Sequence, residues 1–139
     1  MNKTLSFKIK AELSEIEVAL DKILAVLEEL NADHKTAYKV RLALDELLTN
    51  VVSYAYEGKE GGEIEISYEI ADDPRSITLS IADEGKAFNP LETEDPDLAL
   101  DVAERKIGGL GIFLVKNVMD EIDYRREDER NILTIKKNI

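Results

Sequence analysis

The sequence predicts an α+β fold, a two-layer α/β sandwich whose mixed, mostly antiparallel sheet carries helices on one face. Three observations predict it. Segments with period-two alternation arrive in pairs joined by short polar turns, as antiparallel hairpins do. Segments with apolar residues at 3.6-residue spacing lie between those pairs. No long βαβ pattern of the kind that builds a parallel sheet surrounds them.

The opening stretch alternates Leu5, Phe7 and Ile9 with polar residues and predicts a half-buried strand. Ser14 followed by Glu17 has the form of a capping box. Ile16, Leu20, Ile23, Leu24, Leu27 and Leu30 then recur at helical spacing as far as Asn31. Asp33 is placed to cap a second helix running to about Tyr56, where Gly58, Gly61 and Gly62 end it. Ile64, Ile66, Tyr68 and Ile70, then Ile77, Leu79 and Ile81, alternate across the turn Asp72-Asp73-Pro74-Arg75 and predict a hairpin. From Asp83 to Gly111 the pattern gives way to turn and acidic residues, with a short helix at Leu98–Arg105. Helical spacing returns at Ile112, Val115 and Met119, and a closing hairpin turns across Asp128–Asn131 between Ile122/Tyr124 and Ile132/Leu133/Ile135. No repeat or linker interrupts the chain, so one domain over 1–139 is expected.

Composition limits the function. With 139 residues, 44% of them hydrophobic, the chain can bury a core without staples. The absence of cysteine excludes disulfide scaffolds, thiolate metal sites and cysteine nucleophiles. The N-terminus alternates instead of forming an apolar signal core, and no apolar run approaches a membrane span, so a cytoplasmic protein without membrane contact is expected. A net charge of −12 repels nucleic acid and favours a basic protein partner.

Three short stretches carry chemistry. On the second helix, Glu46 and Asn50 are one turn apart and off the stripe formed by Leu44, Leu47, Leu48, Val51 and Ala55. The carboxamide can ligate a hard cation and the carboxylate can orient or deprotonate a hydroxyl, although such a pair alone is ordinarily just a solvated helix face. Asp83-Glu84-Gly85 leaves a strand, where a carboxylate can accept from an exocyclic amine while the glycine turns tightly around a flat ring; alone it reads as an ordinary turn. Gly108-Gly109-Leu110-Gly111 precedes an amphipathic helix, whose N-terminal N–H groups favour phosphate. It is neither a Walker A loop nor a Rossmann fingerprint. The single histidine, His34, reads as an exposed residue near a helix start.

In this order and spacing, the Glu-x-x-x-Asn helix, the Asp-x-Gly strand exit and the Gly-x-Gly helix start resemble the N, G1 and G2 boxes of the GHKL (histidine-kinase-like, Bergerat-fold) ATPases. Asp83-Glu84-Gly85-x-x-Phe88-Asn89-Pro90, and Gly108 through Val115 running into Met119-Asp120-Glu121, resemble the anti-sigma-factor serine/threonine kinases in particular. The resemblance implies ATP and Mg²⁺ as ligands, and a sigma factor and an anti-sigma-factor antagonist as partners. It implies Glu46 as general base, Asn50 as Mg²⁺ ligand, Asp83 and Gly85 at the adenine, and Gly109 and Gly111 at the phosphates with Gly108 as hinge. Residues 91–107 would form a lid, from which Arg105 or Lys106 reaches the terminal phosphate. Dimerisation through the first strand and helix is a further implication. Ala87, where the family often has glycine, and Phe113, where some relatives place a hydroxyl, depart from the pattern. These departures motivate the alternative of a non-catalytic, nucleotide-gated partner-binding domain.

Overall fold

The computed structural model describes residues 3–56, 61–92 and 109–139. Strand β1 (Lys3–Lys10) leads into α1 (Leu13–Glu29) and α2 (His34–Asn50), and α2 runs on through a π-helical segment, Val51–Ala55. Strands β2 (Glu63–Ala71) and β3 (Ser76–Asp83) follow, then a 3₁₀ turn at Pro90–Glu92. Helix α3 (Gly109–Val118) and strands β4 (Glu121–Glu127) and β5 (Arg130–Asn138) complete the order. The five strands form one sheet ordered β1-β2-β3-β5-β4, and all four pairings are antiparallel. Because β5 returns between β3 and β4, Asn131 lies directly opposite Asp83.

Alternation decides which face is buried. Ile64, Ile66, Tyr68 and Ile70 of β2, Ile77, Leu79 and Ile81 of β3, and Leu133 and Ile135 of β5 point to one side and are buried. They join Ile16, Leu20, Ile23 and Leu27 of α1, Leu44, Leu47 and Leu48 of α2, and Ile112 and Val115 of α3 in one apolar cluster. Each fully buried aliphatic side chain contributes about 1.5–3 kcal/mol relative to exposure. The second layer is thus held by the stripes the sequence displays.

Helix ends obey local chemistry with one correction. Asp33 caps α2, its carboxylate accepting from the Thr36 N–H at 2.7 Å, and those bonds hold its pKa below the ordinary value. Asn31 ends α1 in the left-handed region, at φ 58°. The capping box expected at Ser14 does not form: α1 starts at Leu13, with Glu12 as N-cap and no side-chain cap bond. The close return of the chain from β1 explains this. The Glu12 N–H bonds back to the Lys10 carbonyl at 2.8 Å, so the helix begins before Ser14. Glu17 instead pairs with Arg41 of α2 at 3.2 Å. The closing turn is also shorter than expected. Asp128 and Glu129 alone take positive φ, leaving Asn131 inside β5. The helix expected at Leu98–Arg105 lies outside the described residues.

The end of α2 is fastened by Tyr56. Its hydroxyl donates to the Glu63 carbonyl at 2.7 Å and accepts from the Glu84 N–H at 2.7 Å, joining the π segment to the start of β2 and the exit of β3. Tyr56→Phe keeps the ring but leaves both backbone groups without this partner. We expect it to lower stability by about 1–3 kcal/mol in urea unfolding.

Candidate functional site

The sequence expects Glu46 and Asn50 on a polar helix face, but the structure encloses them. Helix α3 packs against α2 on that side. Asn50 is only 6% exposed, and its Nδ2 is buried without a hydrogen-bond partner among the described residues. The two ends of a carboxamide are nearly isosteric, so a rotated side chain presents its oxygen to the same place. Glu46 is half-buried beneath the first turn of α3, where a methyl group added to Gly111 would run into its Oε2. Glycine at 111 is what lets that carboxylate approach a helix N-terminus, the end whose dipole favours negative charge. Burial first, and then the charge of Asp45, raise the Glu46 pKa above its ordinary 4.5.

One residue after Asn50 the helix widens into π geometry, marked by the bond from the Tyr56 N–H to the Val51 carbonyl at 3.1 Å. π-helical insertions recur at functional sites because they re-aim a helix locally. Here the insertion turns the Ala55 carbonyl toward the β3 exit, where it accepts from the Lys86 N–H at 2.9 Å. A Cβ on Gly85 would collide with that carbonyl, so Gly85 is required by the contact between helix and strand exit. The Tyr54 and Phe88 rings, 5.3 Å apart, close the same seam.

Asp83 ends β3 and is 1% exposed. Its Oδ1 accepts from the Gly85 N–H and from Asn131 Nδ2, each at 2.9 Å, while its Oδ2 is buried with no hydrogen-bond partner among the described residues. Burial raises its pKa. The bonds from Asn131 and Gly85 and the charges of Arg126 and Arg130 oppose that rise. A buried carboxylate oxygen without a donor is costly, and it is satisfied by a ligand that brings an N–H or O–H.

The structure therefore brings Gly111 of α3 onto Glu46, one helical turn from Asn50 on α2, and ties α2 through Ala55 to Gly85 and the β3 exit that Asp83 ends. Gly109 and Gly111 lie inside the first turn of α3 and not ahead of it. Arg105, Lys106 and Gly108, and the expected lid from residue 93 onward, lie outside the described residues; Leu91 and Glu92 belong to the 3₁₀ turn. Ala87 is exposed and Phe113 half-buried. Sequence reading missed Tyr56 and Asn131. Tyr56 looked like the last residue of a helix, and Asn131 like a turn residue, because only strand register places it opposite Asp83.

A family model described as the histidine kinase-like ATPase domain matches residues 9–137. The chain belongs to that family. Among its relatives, the serine-protein kinase RsbW of Listeria monocytogenes is 25% identical over 98% of this chain and 88% of the relative. RsbW of Oceanobacillus iheyensis is 28% identical over 88% of this chain and 79% of the relative. The serine/threonine-protein kinase BtrW of Bordetella bronchiseptica is 32% identical over 70% of this chain and 68% of the relative. A crystal structure of RsbU and RsbW domains from Mycobacterium tuberculosis superposes with a TM-score of 0.70 at 16% identity. It covers 98% of this chain, which spans about a third (32%) of that one, and the likeness shows the fold. The resemblance to the histidine-kinase-like ATPases, read from the three motifs, and to their anti-sigma serine-kinase branch, read from residues 83–90 and 108–115 with Met119-Asp120-Glu121, is borne out. No described helix is long and apolar enough to cross a membrane.

Glu46 yields a test of the site in the unliganded protein. Its folded-state pKa is raised, so the folded state holds the proton more tightly than the unfolded chain does. Ionisation therefore costs stability as pH rises above 4.5, and the whole cost is present once Glu46 has ionised in the folded protein. Glu46→Gln carries no such cost. The variant should be more stable than the parent at about pH 7, with the difference vanishing toward about pH 4, measured by urea unfolding at both.

Proposed function

We propose that this chain is a Mg-ATP-dependent serine/threonine protein kinase that phosphorylates a small anti-sigma-factor antagonist and also binds a sigma factor, acting as an anti-sigma factor in the cytoplasm. One observation carries the reading: the Asp83 carboxylate, inside a histidine kinase-like ATPase domain, has one oxygen committed to the protein and the other buried without a partner among the described residues. The exocyclic amine of adenine supplies the missing donor. The kinase names of the relatives support the reaction class. The charge of −12 suits a partner with a basic face.

The donor set fits the ligands. Asp83 would hold the adenine amine, with Gly85 keeping the strand exit tight beside it. Asn50 would offer one carboxamide oxygen to Mg²⁺, a cation that retains waters and phosphate oxygens as its other ligands. Gly108, Gly109 and Gly111 would turn N–H groups toward the phosphates, and Arg105 or Lys106 would meet the terminal one. When bound, Mg²⁺ supplies neutralisation of the charge on the transferring phosphoryl group. Glu46 orients the serine hydroxyl of the antagonist and accepts its proton, and its raised pKa moves in the direction that suits a base working at neutral pH.

Purified protein incubated with labelled ATP, Mg²⁺ and candidate antagonists tests the proposal. Glu46→Gln should retain nucleotide and lower phosphotransfer by about 10²-fold or more. Asn50→Ala should remove the Mg²⁺ dependence of nucleotide binding, and Asp83→Asn should weaken ATP about tenfold or more in calorimetric titration. Wild-type ATP affinity in Asp83→Asn refutes the pocket. Tight ATP binding by the parent chain with no transfer to any antagonist refutes the kinase and leaves a nucleotide-gated binding domain.

A further inference from the structure

Asn131 makes five side-chain hydrogen bonds beside the proposed pocket. It is 1% exposed, in the middle of a network that no sequence motif announces. Its Nδ2 donates to Asp83 Oδ1 at 2.9 Å and to the Lys86 carbonyl at 2.8 Å. Its Oδ1 accepts from the Tyr124 hydroxyl at 2.6 Å, from Arg126 Nη1 at 3.1 Å and from the Phe88 N–H at 3.2 Å. Only one orientation of the carboxamide serves this set, because the nitrogen end faces two acceptors and the oxygen end three donors. Arg126 Nη1 also donates to the Gly85 carbonyl at 3.0 Å, so the β4–β5 hairpin grips both sides of the strand exit.

This network has a chemical consequence for Asp83. With two N–H donors fixed on Oδ1, the carboxylate is held in one rotation, and its Oδ2, buried and without a hydrogen-bond partner among the described residues, is left as the free acceptor. A purine with an amine at position 6 donates to that oxygen. A purine with an oxygen at position 6 sets acceptor against acceptor there, and a polar group left unpaired in a dry site is strongly discriminated against. We infer that Asn131 is a positioning residue that sets base selectivity: its carboxamide locks Asp83 as a fixed acceptor and so selects 6-amino over 6-oxo purine nucleotides. The inference rests on the nucleotide pocket proposed above and adds to it a residue from β5.

The experiment is calorimetric titration of ATP and of inosine triphosphate, which bears oxygen in place of the 6-amine, into the full chain with Mg²⁺. The parent chain should prefer ATP by at least about tenfold. Asn131→Asp is nearly isosteric but places a carboxyl group where Nδ2 now lies 2.9 Å from Asp83 Oδ1. Two carboxylates that close share a proton, and Asp83 ceases to be a fixed acceptor. The preference for ATP should fall about tenfold, toward parity, in Asn131→Asp. It should fall in the same direction in Asn131→Ala, which decides the matter if the Asp variant does not fold. A purely structural role weakens both nucleotides equally, so an unchanged preference in either folded variant overturns the inference. If the parent chain binds neither nucleotide, the functional reading itself fails and takes this inference with it. If the parent binds ATP through Asp83 and the variants keep its preference, this inference alone fails.

Discussion

The bond from the Lys86 N–H to the Ala55 carbonyl, with Gly85 pressed against the same carbonyl, joins the helical layer to the end of the sheet. Helix α2 carries Glu46 and Asn50, and β3 carries Asp83; apart from the Tyr56 hydroxyl, the described contacts that hold the helical layer on the sheet are largely apolar. Apolar packing tolerates small slides; a hydrogen bond beside a glycine too tight for a methyl group does not. That contact fixes the spacing between the carboxamide on the helix and the carboxylate on the strand. The π segment, which begins one residue after Asn50, ends on Ala55, whose carbonyl makes this bond.

The site is also where the fold accepts electrostatic cost. Asp83 and Glu46 are acids in a chain already at −12, and burial raises the pKa of both. The two are treated differently. Asp83 is held by donors from Gly85 and Asn131, with Arg126 and Arg130 nearby, so its charge is oriented and half satisfied. Glu46 lies under the first turn of α3 with Asp45 as its neighbour and is left easier to protonate. Two carboxylates in different surroundings can perform different tasks, one binding and one exchanging a proton. Asn50 is buried as well, and its Nδ2 has no hydrogen-bond partner among the described residues. Such groups cost stability in the unliganded protein, as groups reserved for a ligand do.

Much of this was legible in the residues. The alternation of β2, β3 and β5 and the stripes of α1 and α2 gave the two layers, because burial imposes the same periods on any helix or strand. Asp33 gave the start of α2 through a cap that needs only local atoms. The Ser14 capping box failed because the chain leaving β1 starts the helix early, which depends on where β1 lies. Asn131 was read as turn because a polar residue beside Asp-Glu-Arg resembles one; its burial follows from β5 entering the sheet beside β3.

The sequence by itself determined the residue chemistry and its order: a Glu and an Asn one helical turn apart, an Asp and a Gly at a strand exit, and glycines at the start of a helix. These are local facts, written in spacing along the chain. Tertiary structure decided which of their atoms are enclosed and which remain free. Glu46 lies beneath Gly111, Gly85 is forced by Ala55, and Asp83 has one oxygen held by Asn131 and the other without a partner among the described residues. Each of those outcomes depends on contacts between residues far apart in sequence, and spacing along one chain segment carries no information about them.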